Sequence, residues 1–441
     1  MLIEIHMLQN HAPSNLNRDD SGSPKDCIFG GIRRSRISSQ CLKRSIRKSV
    51  LFGNNEELKN YFGEKTRSLP SLIREYLKSN PGEMAQELID QIGRALTNIT
   101  KKAGKDKNDS DDSDDHEENE GIQNNAGPEE TEQLLTPQMV FFTHGEIRAI
   151  GEQLKNAYQE DKDLFKLVIS FLDPQSKLKN TEAEKAKKKL PWLFNFIKKA
   201  FNPMTVDVAL FGRMTTSNAF LDVQAAMQVA HAISTHKMDH EFDYFTAIGD
   251  LTKDQESIGA EMIGDTEFNS ACYYKYFSLD YNGFINNLAG PIPEEKADQS
   301  EWDAYRQRKT EACRVAALAV PAFLKAAIFT TPSGKQNSFA AHQLPEAILI
   351  EIRPQNIPVS YANAFVKPAK AHGEVDLVED SLQKFVNHVD LLTKKYSLTA
   401  VKRLWFSLRQ VQIPDTIECQ VLEELITELN KVIESGEVNH D

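Results

Sequence analysis

Between Asp106 and Glu132 the chain carries twelve acidic residues against one lysine, and almost no apolar side chain. Such a run repels itself and buries too little apolar surface to offset the entropy of ordering, so it cannot join a core. The expectation is a disordered acidic surface loop over about residues 103–134, with flanking segments that fold without it. The run also explains most of the formal net charge of −12, and the rest of the 441 residues is close to neutral. Partners therefore have to be read from where the charge lies rather than from its total.

Around that loop, residues 52–200 read as almost wholly helical, and strand patterns lie on either side of them. Short runs rich in β-branched or aromatic residues predict strands over Leu2–Gln9, Ile32–Ile37, Val206–Phe211, Tyr273–Leu279, Ala347–Arg353 and Arg403–Gln410. Helical spacing predicts helices over Ser39–Leu51, Thr143–Leu172, Gln224–Thr235, Glu301–Phe329 and Asp376–Lys395. The class is α+β, with a helical insertion between two strand-bearing parts. No apolar run approaches the ~20 residues of a bilayer span, so no membrane partner is expected. The start lacks a basic flank and a small-residue cleavage site, which points to a cytoplasmic chain. Cys27, Cys41, Cys272, Cys313 and Cys419 are odd in number and scattered, which predicts reduced thiols and no zinc site. No cofactor is implied.

The stretch from Gly30 to Ser49, "GGIRRSRISSQCLKRSIRKS", holds seven Arg or Lys and no acid. On the strand it predicts, Arg34 and Arg36 share one face and Arg33 points the other way. Ser38 and Ser39 suit a helix N-cap, with the helix beginning near Gln40. Leu42, Ile46 and Val50 then face the core, while Gln40, Lys43 or Arg44, and Arg47 lie opposite, about a turn apart. A helix N-terminus offers free amides and a positive dipole end, and the cations continue from it. Together these features form a cradle for successive phosphates. A solvated basic helix face is the plainer reading, but no acids stand at i±4, and the cap, glycine turn and arginines sit together.

The blocks "HAPSNLNRDDSGSPKDCIFGGIRRSRISSQCLKRSIRKS", "DVALFGRMTTS", "AAMQVAHAISTHKMDHEFDYFTAIGDL", "GDTEFNSACYYKYFSLD" and "SGKQNSFAAHQLPEAILIEI" followed by "IPVSYANAF" resemble the CasC family, the repeated backbone subunit of type I-E CRISPR Cascade complexes. The resemblance covers about half of the chain; the acidic loop departs from it. It implies an RRM-like (ferredoxin-like) palm of residues 1–51 and 201–441, a thumb hairpin near 236–272, and helical fingers over 52–200. It also implies that copies of the chain stack along a crRNA among other Cascade subunits and present its bases to target DNA. Carried over by motif, Arg18, Lys25, Arg33, Arg34, Arg36, Ser38, Gln40, Lys43 and Arg47 would hold the guide backbone, with Lys335 and Gln336 in a polar loop. Met214 would pack on a kinked nucleotide, and Tyr244 and Phe245 on a displaced base, where the family often shows Trp-Phe. Lys185, Lys187, Lys188 and Lys189 fall near a family helix that touches target DNA, although Pro191 should interrupt a helix there.

Two other classes compete. Asp19, Asp20 and Asp26 with His6 and His11 could hold Mg²⁺ for RNA cleavage, Asp19 and Asp26 being the residues such an endonuclease would use. Acids beside arginines more often orient them by ion pairing, so the chain is read as non-catalytic. His231 and His236 lack the spacing of a zincin helix, and no P-loop or nucleophile elbow occurs. A stand-alone, sequence-specific RNA-binding protein is the third reading; it predicts a monomer, where a scaffold predicts assembly that grows with RNA length.

Overall fold

The computed structural model describes residues 1–99, 134–136, 139–200, 205–214, 217–247 and 262–435. The expected acidic loop and the tip of the hairpin lie outside the described residues. The chain opens with β1 (Leu2–Ser14), β2 (Asp26–Phe29), β3 (Ile32–Ile37) and α1 (Ser39–Arg47). Next come β4 (Glu64–Thr66), α2 (Leu69–Ser79), α3 (Gln86–Thr97), β5 (Val140–Phe142), α4 (His144–Glu160), α5 (Lys162–Leu172), α6 (Asn180–Lys198) and α7 (Val206–Phe211). Strands β6 (Met227–Val229), β7 (Ala232–Ser234), β8 (Glu241–Ala247) and β9 (Met262–Asp280) precede α8 (Tyr281–Ala289) and α9 (Gln299–Phe329). A short turn of helix, α10 (Gln336–Phe339), leads to β10 (Ala347–Arg353), α11 (Leu377–Tyr396), β11 (Lys402–Ser407), β12 (Ile417–Glu418) and α12 (Leu422–Ser435).

Two compact units result: residues 1–61, 209–211 and 225–441 in the first, 62–208 and 212–224 in the second. The first is built on a mixed sheet in the order β12-β11-β10-β1-β9-β7-β3-β2, with β6 and β8 also paired to β9. The mixed α+β class is as expected. In β1, Ile3 and Ile5 alternate with polar residues, a pattern that usually marks one wet face. Here both faces are covered: Ile5 pairs with Phe277, whose ring meets Phe323 of α9 edge-on, and Leu8 pairs with Tyr274 in a cluster with Leu382 and Phe385 of α11. The carboxylates of Glu4 and Glu351 on the α11 face are buried and satisfied. Glu4 accepts from Arg353 at 2.6 Å and from Tyr276 at 2.6 Å, and Glu351 from Arg353, Arg403 and Tyr361 at 2.7–2.9 Å.

Four local expectations change. Residues 206–211 form α7 rather than a strand, because a short apolar run has no decisive period. Asp207 supplies the local support, accepting from the N–H groups of Gly63 and Val208, and Gly212, at φ +82°, ends the helix. The expected helix over 224–235 is instead β6 and β7, since the edge of β9 offers ladder partners that outweigh the alanines. The expected helix over 143–172 splits at Asp161, whose carboxylate caps α5. Helix α1 stops at Arg47, so Val50 is 74% exposed instead of buried.

The second unit packs α2 to α6 around Ile73, Ile92, Leu154, Val168 and Leu193. Helix α6 runs through Pro191, which is exposed. Helix α9 is, by length and composition, apolar enough to cross a membrane, contrary to the expectation from the sequence, and more than half of that stretch is buried within the protein. All five cysteines are free.

Candidate nucleic-acid interface

The segment from Asn15 to Lys25 is the hub of the basic region. The Asn15 side chain donates to the carbonyls of Gly22 and Glu267, both at 2.9 Å. The Asn17 side chain accepts the Ser38 N–H at 2.8 Å, and its main-chain carbonyl accepts the Lys25 N–H at 2.8 Å. The Lys25 carbonyl then accepts the Arg36 N–H at 2.8 Å. Two asparagines thus dock β9, β3 and the start of α1 onto one loop.

A second loop, 332–342, lies against that hub. A Cβ on Gly334 would stand 2.5 Å from the Leu16 carbonyl oxygen and 2.6 Å from that of Asn15, so only glycine permits the approach. Lys335 follows in the left-handed region at φ 44°, and its Nζ donates to Thr266 Oγ1 at 3.1 Å. Gln336 turns inward, donating to the Pro332 carbonyl and accepting from Ala341 N–H at 2.8 Å. The loop is tied to β1 by Gln9, which donates to the Gln343 carbonyl at 2.6 Å, and by His11, within 3.3 Å of the Ala341 carbonyl. Burial, reinforced by Lys275, pushes the His11 pKa down to about 3, so the neutral ring donates through Nδ1.

The N-terminus of α1 forms as expected: Ser38 Oγ accepts the Cys41 N–H at 3.2 Å, and Leu42 and Ile46 are buried. Gln40 and Arg44 are exposed, and Arg47 is half-buried. Lys43 is half-buried too, with Nζ 5.7 Å from the centre of the Phe211 ring, and burial lowers its pKa. The arginines of β3 separate. Arg33 is exposed and ion-paired with Asp26, and Arg36 donates through Nε to the Asp26 carbonyl at 3.0 Å and lies 3.1 Å from His231 Nδ1. Arg34 is wholly buried. Its Nη2 donates to the Phe365 and Val366 carbonyls at 2.7 and 3.3 Å, and its Nη1 to that of Ser234 at 3.3 Å. Arg18 and Lys25 are half-buried, the former bridged to Pro24.

Strands β8 and β9 form a two-stranded arm, in register from Glu241↔Phe268 to Ala247↔Met262. Phe245 pairs with Gly264 and lies over it, on the face that carries Thr266 and Phe268. That face meets the 332–342 loop, through Lys335 on Thr266 and through Phe339, 5.5 Å from the Phe268 ring centre. Tyr244 points to the opposite face, beside Phe242, and each of these two rings is 65% exposed. At the arm's base, buried Asn269 donates to Ser35 Oγ at 2.7 Å, and Ser35 meets the Tyr273 hydroxyl at 2.5 Å.

In the second unit Arg213 donates to Glu146 and to the Phe141 carbonyl, both at 3.2 Å, and is buried. Met214, next to this anchor, is 92% exposed. Lys185, Lys187, Lys188 and Lys189 are all exposed on α6. Asp19 and Asp26 have other work. Asp26 pairs with Arg33, and Asp19 caps a turn: burial pushes its pKa up, but hydrogen bonds from Ser21, Ser23 and Gly22 together outweigh that and hold it below the usual carboxylate value. Among the described residues no three His, Cys, Asp or Glu stand together as metal ligands. The sequence reading missed Asn15, Asn17, Thr266, Gly334 and Phe242. Only the Gly and Asn of "SGKQN" and "NLN" signalled tight backbone positions.

The family described as CT1975-like protein matches residues 3–435. A chain of a solved structure titled "CRISPR RNA-guided surveillance complex, pre-nicking" shares the fold, with a TM-score of 0.68 at 23% sequence identity, covering 98% of this chain and 100% of that one. A chain titled "CRISPR RNA-guided surveillance complex" aligns at 18% identity with a TM-score of 0.48, covering 98% and 99%. No curated protein matches the chain.

Proposed function

The chain belongs to the CT1975-like family, which bears out the resemblance to CRISPR backbone subunits, and from that premise we propose that it is a non-catalytic backbone subunit of a type I-E Cascade complex. In this reading copies of the chain assemble along the spacer of a crRNA, hold its sugar–phosphate backbone whatever its sequence, and present short runs of guide bases to target DNA. Other Cascade subunits would cap the assembly.

The observation that carries the reading is the convergence on the Asn15–Lys25 hub. The capped start of α1, the Arg36 edge of β3 and the Lys335 loop, separate in sequence, are docked on one segment. Cations and helix amides contact phosphates without reading bases, as a variable guide requires. Phe245, on the face shared with Lys335, is the ring proposed to stack on a base, an interaction of about 1–3 kcal/mol that tolerates any sequence. Met214 is proposed to pack against a nucleotide.

The test is assembly of the purified protein on RNAs of graded length and scrambled sequence, followed by native mass spectrometry. Copy number should rise stepwise with length and be indifferent to sequence. One copy per RNA, or preference for one sequence, would overturn the scaffold. So would Mg²⁺-dependent cleavage of RNA lost in Asp19→Ala or Asp26→Ala.

A further inference from the structure

Met214 is 92% exposed, more than any other large apolar side chain among the described residues. The loop that carries it is otherwise sunk in the second unit: Ala219 and Phe220 are buried in the core, and Leu221 and Val223 pack against it. An apolar side chain kept out of a core that its neighbours join forgoes the free energy of burial. The polar groups around its backbone are what keep it there.

Arg213 fixes the chain one residue before Met214. Its main-chain N–H and carbonyl both pair with Val223, at 2.9 and 2.8 Å, and Gly212, at φ +82°, turns the chain into that bridge. The buried guanidinium reaches three segments: Nε donates to the Leu221 carbonyl, and Nη1 to the Phe141 carbonyl and to Glu146 Oε1, each at 3.2 Å. Glu146 is held in turn, because its Oε2 accepts the Thr143 N–H at 3.0 Å and its own N–H donates to Thr143 Oγ1 at 2.9 Å, a reciprocal cap on α4. Beyond Met214, buried Ser217 donates to the Ile99 carbonyl and accepts the Ala219 N–H at 3.1 Å. The chain is thus pinned on both sides of the methionine. A planar fork can span several acceptors at once, which the single point charge of a lysine does not. With the main chain fixed in advance, only the methionine's own torsions remain to be ordered on binding.

We propose that Arg213 and Glu146 are positioning residues for Met214: the buried pair holds the backbone where the methionine wedges against a nucleotide of the bound RNA, so that the distortion of that nucleotide depends on the pair. The inference rests on the reading of Met214 as a nucleotide contact, and deepens it by assigning the residues that set where the wedge stands. Neither Arg213 nor Glu146 touches RNA in this account.

Assembly on RNA carrying a fluorescent adenine analogue that brightens when unstacked tests it, with the label moved one position at a time along the strand. The wild-type chain should brighten positions that recur with the spacing of the copies. Met214→Ala should dim them by about threefold or more. A chain with Arg213→Met and Glu146→Gln leaves no lone charge buried, and the glutamine keeps an oxygen for the Thr143 N–H. It should fill the RNA to the wild-type copy number and dim the same positions as much, and adding Met214→Ala to it should dim them no further. Arg213→Lys is a second, milder variant: it retains a counter-charge for Glu146 but not the fork, and should dim them too. A pair variant that fills the RNA with the wild-type pattern, whatever its unfolding midpoint, makes the pair structural only and overturns the inference. So does dimming in the triple variant well beyond that of Met214→Ala alone, which would mean that the pair acts elsewhere. If Met214→Ala itself leaves the pattern unchanged, the reading of Met214 fails first, and this inference falls with it.

Discussion

Arg34 donates from Nη2 to the carbonyl oxygen of Phe365, 331 residues away in the chain, at 2.7 Å, while Arg36 on the same strand stays at the surface beside His231. A buried arginine bound to carbonyls locks β3 to the 361–366 segment, and burial lowers its pKa. Arg34→Ala leaves the Phe365, Val366 and Ser234 carbonyls without this donor and opens a cavity. It should lower stability by about 2–4 kcal/mol in denaturant unfolding, with the salt dependence of RNA binding unchanged. A shallower salt slope would mean that Arg34 reaches phosphate after all.

The surface cations should behave in the opposite way. Arg36→Ala, or Lys43→Ala together with Arg47→Ala, should weaken RNA binding equally for unrelated sequences. The slope of log K against log salt should flatten by roughly 0.7 for each phosphate that the variant no longer neutralises. Unfolding midpoints should move little for Arg36, and more for Lys43, whose half-buried stem packs on Phe211. Titrating scrambled RNAs at several salt concentrations checks both points.

Gly334→Ala forces the 332–342 loop off the Asn15 and Leu16 carbonyls, which a Cβ would approach within 2.6 Å. The loop carries Lys335, so RNA affinity should fall by about tenfold although no cation has been removed, with destabilisation of about 1–3 kcal/mol. Hydrogen exchange should rise in residues 334–342. Unaltered affinity would separate the loop from the interface.

Acid should unlock the first unit through Glu351. Burial pushes its carboxyl up, but His6, Arg353 and Arg403 outweigh it and bring the pKa to about 2, against 4.5 for a free glutamate. A carboxylate with a depressed folded pKa stabilises above the unfolded value, and that contribution drains away as pH falls from about 4.5 toward 2. The loss should amount to about 3 kcal/mol. Glu351→Gln should flatten this acid limb and, by leaving two buried arginines short of a counter-charge, destabilise at neutral pH by about 3 kcal/mol. Unfolding followed from pH 7 to 2 tests it.

Lys275 predicts an alkaline counterpart. It is fully buried, with Nζ donating to Gln9 Oε1 at 2.5 Å, and burial lowers its pKa to about 8 from 10.5. Because the folded state gives up the proton first, stability should rise between about pH 8 and 10.5. Lys275→Met should abolish that rise and be at least as stable as wild type at pH 7, since apolar volume replaces a costly buried charge. A constant wild-type stability across this window would contradict the shift.

Local signals in the sequence were enough for some elements and not for others. The Ser38 cap, the buried Leu42 and Ile46, and the central strands β1, β9 and β10 were all legible, because capping chemistry and long periodic runs are decided by near neighbours. Residues 206–211 and 224–235 were misread, because short apolar or alanine-rich runs take whichever structure the surrounding fold leaves them. Phe242 shares the face of Tyr244 by its i, i+2 spacing alone, whereas the hairpin register decides that Glu267 and Asp265 stand opposite the two rings.

The sequence by itself determined where the positive charge gathers, that a serine starts the helix behind it, that the chain is mixed α and β, and which family it resembles. Each of these follows from residue types within a few positions of one another. Only the tertiary structure decided that Arg34 is sealed inside while Arg36 is not, that Gly334 seats the Lys335 loop on Asn15, and that the polar face of β1 is dry. Burial and hydrogen-bond partners are set between residues hundreds of positions apart, and no local pattern encodes them.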